Sequence, residues 1–98
     1  MSVASEHAIR VVKDYILELN EISTWQGYNF ERGSYSKWFA MELLKSLKAQ
    51  PSMPPLIVIE NFRDSMDNYS CLSKEENFRI IFSIARDVTE NIIDYLLS

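Results

Sequence analysis

The sequence predicts an all-α fold, a single-domain bundle of four amphipathic helices, and three observations carry this prediction. Apolar residues recur at spacings of three and four over most of the chain, which is the period of a helix surface. The few Pro and Gly residues lie between these periodic segments or in the first turn of one. The 98 residues, of which 47% are hydrophobic, suffice for one buried core but not for two independent ones.

The first and last segments have the clearest helical periodicity. We expect helix 1 over about residues 5–22, with Ser5 as its N-cap. Helix 4 is expected over about residues 74–97, where Ser73 and Glu76 fit a capping box. Charged residues occupy the opposite faces, so both helices are predicted to be scaffold. The predicted buried faces are Ala8, Val12, Tyr15, Leu19 and Ile22 in helix 1, and Phe78, Ile81, Ala85, Val88, Ile92 and Tyr95 in helix 4.

Helix 2 is predicted over about residues 35–49. It would begin after Gly33, with Ser34 or Ser36 as its cap. It would end before Pro51, because the residue preceding a proline disfavours helical backbone angles. Its predicted buried face consists of Phe39, Ala40, Leu43, Leu44 and Leu47.

Helix 3 is predicted over about residues 54–70. Pro54 and Pro55 fit a first helical turn that is capped by Ser52. The apolar run 56–59 also fits a short buried strand, but the chain has no second strand-like run to pair with it. Pairing across a dimer is the one arrangement that would permit a strand here. The predicted buried face comprises Val58, Ile59, Phe62, Met66 and Tyr69.

One longer connection, from about residue 23 to residue 34, separates helices 1 and 2 and contains both glycines. It also contains Trp25, Tyr28 and Phe30. A connection of this length is either packed down by its own side chains or used for binding. Aromatic residues that cover one end of the bundle are the simpler interpretation.

The reactive side chains indicate a non-catalytic protein. His7 and Cys71 are the only histidine and the only cysteine, and neither has the spacing of a metal site or of an activated nucleophile. We expect His7 to be exposed and Cys71 to be a small packed residue. No glycine-rich phosphate loop can be written. The sequence therefore predicts no catalytic residue, metal or cofactor, and the acidic residues of helix 4 are expected to form a solvated face: Asp87, Glu90 and Asp94.

The expected location is the cytoplasm, without a membrane partner. The residues after Met1 have neither the basic region nor the apolar region of a secretory signal. No run approaches the roughly 18 apolar residues of a membrane span. A single cysteine also excludes an intramolecular disulfide framework.

Charge is distributed unevenly along the chain. The segment 32–48 has a local charge of +3, whereas the remainder carries −7. The basic residues predicted to bind a partner are Lys37, Lys45 and Lys48, which lie on helix 2. This asymmetry favours an anionic partner at helix 2, or a dimer in which helix 2 meets an acidic face.

Helix 2 also has a second apolar stripe that burial alone does not explain. If Phe39 and Leu43 face the core, then Trp38 and Met41 rotate towards the lysine side, and Tyr35 lies one turn before Trp38. Large aromatic residues and Met are enriched where protein partners dock. We therefore expect Tyr35, Trp38 and Met41 to form a binding surface, with a protein partner or a homodimer as the occupant.

The stretch from Pro55 to Tyr69, followed by the sequence from Phe82 to Val88, resembles short uncharacterised helical proteins found in phages and integrated mobile elements of Gram-positive bacteria. The resemblance implies an accessory role in a mobile element. It carries no functional residue over to this chain.

These observations lead to one principal hypothesis and two alternatives. The principal hypothesis is a small non-catalytic interaction module, such as an adaptor, an inhibitor or an immunity-type protein. The first alternative is a nucleic-acid-binding accessory protein that uses the basic and aromatic face of helix 2. The second is an acidic mimic of nucleic acid that inhibits an enzyme with a basic groove.

Overall fold

The protein is a bundle of four helices. The computed structural model describes residues 2–72 and 74–98, in which α1 (Val3–Ile22), α2 (Phe30–Ala49), α3 (Pro55–Leu72) and α4 (Glu76–Leu97) follow one another. No strand occurs within these two ranges, and the run 56–59 is helical. The predicted all-α class and the count of four helices are therefore confirmed. No helix in the described part of the chain is both long enough and apolar enough to cross a membrane.

The four helices pack around one apolar core. The most extensive helix pairs are α3 with α4 and α1 with α2, and α2 also packs along α4. Since α1 and α3 have little contact with each other, α2 and α4 form the middle of the bundle. The buried apolar side chains come from all four helices: Ala8, Ile9, Val12, Phe39, Ala40, Leu43, Leu47, Val58, Ile59, Phe62, Ile84, Ala85, Val88 and Ile92.

The core face of α2 agrees with the prediction. Phe39, Ala40, Leu43 and Leu47 are buried, and Leu44 is partly buried against them. Successive helical residues are rotated by about 100°. Burial of this face therefore fixes which residues of α2 point away from the bundle.

The start of α2 differs from the prediction. The helix begins at Phe30 rather than near residue 35, and its N-cap is Asn29, whose side-chain oxygen accepts a hydrogen bond from the Arg32 N–H at 3.0 Å. The predicted caps Ser34 and Ser36 therefore lie inside the helix. Gly33 indicated a loop in the sequence, yet its N–H donates to the Asn29 carbonyl at 2.9 Å, as a helical residue does.

Gly33 lies inside α2 because Tyr28 occupies the space where a side chain would be. A Cβ added at Gly33 would overlap the Tyr28 phenol ring and its hydroxyl. Tyr28 is half-buried here, whereas Trp25 and Phe30 are exposed. Of the three aromatic residues predicted to cover this end of the bundle, Tyr28 is the one that is partly buried, and the exposed Phe30 contacts the Tyr28 ring edge-on at 5.2 Å.

The start of α1 also differs from the prediction. The helix begins at Val3, and the Ser2 side chain accepts a hydrogen bond from the Ser5 N–H at 3.1 Å, so Ser2 is the N-cap and the assignment of Ser5 was wrong. Ser5 is buried instead, and its hydroxyl donates to the Pro51 carbonyl at 3.3 Å. Ser5 therefore ties α1 to the connection between α2 and α3.

Helix α3 begins at Pro55, after the exposed Ser52 that was predicted to cap it. The N–H groups of Ile57 and Val58 both donate to the Pro54 carbonyl, so Pro54 closes the first turn. Ser52 lies in the turn before it, and the prediction of a Ser52 cap was wrong.

The junction of α3 and α4 lies later in the chain than predicted. Helix α3 continues to Leu72, and α4 begins at Glu76 with Glu75 in the N-cap position. Ser73, the predicted partner of Glu76 in a capping box, lies outside the described residues. Cys71 is exposed, which corrects the expectation of a packed residue.

The buried face of α4 is wider and shorter than the predicted stripe. Ala85, Val88 and Ile92 are buried as expected, but Ile84 is buried too, and Phe78 and Tyr95 are about half exposed. Neighbouring helices pack against the middle of α4 from more than one side. The regular spacing of apolar residues continues for a turn at each end, beyond the part of the helix that its neighbours cover.

The N-cap of α2 provides a first test of this structure. Replacing Asn29 by Ala removes the acceptor for the Arg32 N–H, and we expect the free energy of unfolding to fall by about 1 kcal/mol. Replacing Ser34 by Ala is the matched control, because Ser34 lies inside the helix, where Ala is favourable. Urea denaturation of the two variants measures the difference. A larger loss from Ser34→Ala than from Asn29→Ala would contradict the observed start of α2.

The contact between Tyr28 and Gly33 provides a second test. The Gly33→Ala variant displaces the Tyr28 ring, and we expect a loss of about 1–3 kcal/mol in stability, as for other overpacked sites. In a Tyr28→Ala background the same change should stabilise α2 by about 0.5–1 kcal/mol, since Ala is the better helix former. Denaturant melts of the four variants test this coupling. Equal effects of Gly33→Ala in both backgrounds would show that the two side-chain positions are independent.

Candidate protein-interaction surface

An apolar groove lies between α2 and α4 on the surface of the bundle. It has a volume of about 440 Å³, within the roughly 300–1,000 Å³ range of clefts that bind ligands. No charged side chain lines it, and its polar side-chain groups are the hydroxyls of Ser34 and Tyr35 and the indole N–H of Trp38. The lining residues, which we call the aromatic groove, are Ser34, Tyr35, Trp38, Phe39, Phe78, Ile81 and Phe82.

Aromatic rings connect the groove to three of the helices. Trp38 packs edge to face on Phe39, with ring centroids 5.1 Å apart. Phe39 in turn lies 6.2 Å from Phe82, which stacks on Tyr69 of α3 at 5.6 Å. Such offset and edge-on contacts hold the rings in fixed orientations. The groove is therefore a preformed surface whose inner rings belong to the core and whose outer rings are open to solvent.

The three apolar residues predicted to bind a partner lie at different depths. Trp38 is 53% exposed and Met41 is 44% exposed, so both present apolar area to solvent. Tyr35 is half-buried and packs against the core. The structure brings Tyr35 and Trp38 together in the aromatic groove, whereas Met41 lies next to it on the outer face of α2.

The three predicted lysines also lie on the outer half of α2, but not all on one edge. Lys45 pairs with Glu42 at 3.1 Å. Lys48 lies in a cleft between α1 and α2 that is also lined by Glu6, Arg10 and Lys13. Lys37 is about three turns before Lys48 and so faces the same side of the helix. The five cations form what we call the basic band: Arg10, Lys13, Lys37, Lys45 and Lys48.

The basic band contains half of the chain's ten Lys and Arg residues. Four of the five are unpaired, since the ion pairs found among the described residues include none of Arg10, Lys13, Lys37 and Lys48. In contrast, Arg86 on α4 pairs with both Asp67 and Glu90. The cleft between α1 and α2 therefore carries a local excess of positive charge, with Glu6 against Arg10, Lys13 and Lys48, although the chain as a whole is acidic.

A polar cleft lies beneath the α1–α2 connection, and polar side chains that line it form an ion pair and a hydrogen bond with one another. Arg32 pairs with Asp87, joining α2 to α4. Asn91 donates a hydrogen bond to the Tyr15 hydroxyl at 3.5 Å. Burial raises the pKa of Tyr15, because a phenolate would be poorly solvated there. These interactions hold α1, α2 and α4 together. The role of the polar side chains in this cleft is therefore explained by the packing of the helices.

The sequence did not identify all the residues of this surface. Phe78 was assigned to the buried stripe of α4, and the charged residues of α1, which include Arg10 and Lys13, were assigned to its solvent face. Helical spacing places Phe78 and Phe82 on one side of α4, but it does not reveal where the neighbouring helices stop covering that side. The cations of α1 join those of α2 only through tertiary packing.

The difference in depth between Trp38 and Phe39 is open to measurement. Phe39 is 1% exposed, so Phe39→Ala should destabilise the protein by about 3–5 kcal/mol. Trp38→Ala removes a side chain that already contacts water, and we expect a loss of about 1 kcal/mol. Thermal and urea denaturation of both variants test this order. A loss at Trp38 as large as that at Phe39 would show that Trp38 belongs to the core.

No family model, no curated protein and no solved structure matches the chain. Among the described residues, no group of three or more His, Cys, Asp or Glu side chains is placed to hold a metal ion. The candidate site therefore rests on the geometry of the aromatic groove and the basic band.

Proposed function

We propose that this protein is a small, non-catalytic interaction module that binds a protein partner through the aromatic groove and the adjoining outer face of α2. The observation that carries the proposal is the exposure of Trp38, Phe78 and Met41 around an apolar groove. An adaptor, an inhibitor or an immunity-type protein would use such a surface, with a cytoplasmic protein or a second copy as its partner. The resemblance to proteins of phages and mobile elements supports an accessory role of this kind.

The chemistry of the groove supports a protein partner. Trp, Tyr and Met are enriched at the centres of protein interfaces, where large apolar side chains contribute most of the binding energy. Trp38 is also held by its edge-to-face contact with the Phe39 ring, so little conformational freedom is lost when a partner covers it. A contiguous apolar surface on a small domain is typical of an interaction site.

Binding of nucleic acid is the second candidate, and the basic band is the observation that favours it. Sequence-independent binding of single strands needs aromatic rings inside a basic groove. Here Lys37 and Lys48 lie on the α1 edge of α2, whereas Tyr35 and Trp38 lie on its α4 edge. The aromatic groove itself has no charged lining. This separation favours a protein partner over nucleic acid.

The proposal is tested with the wild-type protein and two alanine variants as affinity baits in a lysate of the native host. Trp38→Ala removes an exposed ring of the groove, and Leu17→Ala removes an equally apolar exposed residue of α1 as the matched control. We expect a partner to be retained by wild type and Leu17→Ala and lost by Trp38→Ala. With the purified partner, the dissociation constant should rise about 30-fold for Trp38→Ala, which corresponds to a hot-spot residue.

Sedimentation equilibrium of the same three proteins tests self-association. A dimer that dissociates in Trp38→Ala but not in Leu17→Ala supports the proposal with a second copy as the partner. The proposal fails if binding and self-association are the same in all three proteins, or if the wild type is monomeric and retains no partner.

A further inference from the structure

We propose that the occupant of the aromatic groove is a second copy of this chain, in a dimer whose two α2 helices pack antiparallel across a two-fold axis at Trp38. This inference rests on the proposed function, and it adds the identity of the partner and the way in which it docks. Two features of α2 lead to it: opposite charges placed symmetrically about Trp38, and the apolar residues that lie between them.

The residues on the groove side of α2 form a single stripe. Successive helical residues are rotated by about 100°, so residues at spacings of three and four share a side. Glu31, Trp38 and Lys45 follow one another at intervals of seven, which is the repeat of a helix that packs along a second helix. The same side of α2 also carries Ser34, Tyr35, Met41 and Glu42.

The charges of this stripe are complementary to those of a second copy. In an antiparallel pair with its axis at Trp38, a residue that follows Trp38 faces the residue that precedes Trp38 by the same number in the other copy. Lys45 follows Trp38 by seven residues, and Glu31 precedes it by seven. Lys45 of each copy therefore faces Glu31 of the other. A parallel pair would place like charges together, which weakens association.

Both charged residues are available for this contact. Glu31 is exposed, and the ion pairs found among the described residues do not include it. The Lys45 side chain is 72% exposed and pairs with Glu42 of the same helix. An exposed pair of this kind contributes little to stability. Lys45 is therefore free to approach a carboxylate of a second copy.

The centre of the stripe is apolar and has both a projecting ring and a recess. Trp38 and Met41 are each about half exposed. In the antiparallel pair, Met41 faces Tyr35 of the other copy, and the two Trp38 rings flank the axis. Each ring then lies at the aromatic groove of the other copy, whose far wall includes the half-exposed Phe78. A two-fold interface requires such a self-complementary surface.

Apolar exposure continues along α4. The aromatic groove adjoins a cleft between the same two helices, and Tyr35 and Ile81 line both. Ile80 lines this cleft and is 53% exposed. A second copy that lies along α2 would cover Ile80 together with Phe78. Homodimer interfaces are more apolar than other protein interfaces, so this added area favours a second copy.

Charge reversal tests how the two helices are aligned. Glu31→Lys and Lys45→Glu each place like charges together at both ends of the stripe. We expect either variant to raise the dissociation constant of the dimer at least about 10-fold in sedimentation equilibrium. An equimolar mixture of the two variants should dimerise about as tightly as the wild type, because opposite charges then face each other between the two different chains.

Two further reversals are the matched controls. Lys48→Glu on α2 and Glu60→Lys on α3 change the net charge equally at exposed positions off the stripe, and neither should alter the dissociation constant. Trp38→Ala should dissociate the dimer, while Leu17→Ala should not. Circular dichroism of each variant checks that the helices are retained.

Several outcomes would overturn the inference. A dimer that is lost in Trp38→Ala but is insensitive to reversal of Glu31 and Lys45 would place the second copy in another orientation, and the proposed function would stand. Weakened variants whose mixture stays monomeric would contradict the contact between Glu31 and Lys45, with the same consequence. A wild type that is monomeric up to about 500 μM, or a dimer unaffected by Trp38→Ala, would exclude a second copy from the groove. The bait experiment would then decide the proposed function by itself.

Discussion

Burial of Phe39, Leu43 and Leu47 in the centre of the bundle fixes the rotation of α2 about its own axis. These side chains are almost fully removed from solvent, and α2 packs against each of the other helices. Any other rotation would expose them, at a cost of roughly 1.5–3 kcal/mol for each large apolar side chain. Trp38, Met41 and Lys45 then have no alternative to the outer face. The candidate surface is thus a consequence of how the core is packed.

The central part of each helix could be predicted from the sequence because the apolar spacing that produces it lies within the helix itself. An apolar residue every three or four positions needs only a neighbour to pack against, whichever helix supplies it. This is why the core face of α2 was predicted correctly, from Phe39 to Leu47. The helix ends depend on individual hydrogen bonds, and several side chains near an end can make them. Ser2 rather than Ser5, and Asn29 rather than Ser34, cap their helices for this reason.

The candidate site could be predicted only in part. Trp38 and Met41 lie on α2 opposite its core stripe, and a single helix suffices to show that. Phe78 becomes exposed because neighbouring helices do not cover the first turn of α4, and no local pattern reports that limit. Arg10 and Lys13 belong to the surface because α1 packs alongside α2. A surface formed by residues of two helices depends on how the helices are arranged in the bundle, and the periodicity of a single sequence does not predict that arrangement.

The close approach of Tyr28 to Gly33 has a consequence for evolution. The Tyr28 ring is tolerable only with glycine at 33, since a larger residue there needs the space that the ring fills. Sequences that descend from the same ancestor should therefore change at these two positions together, with glycine retained wherever an aromatic residue precedes α2. Such paired substitution would identify distant relatives of this chain even where the surface residues of α2 have diverged to suit other partners.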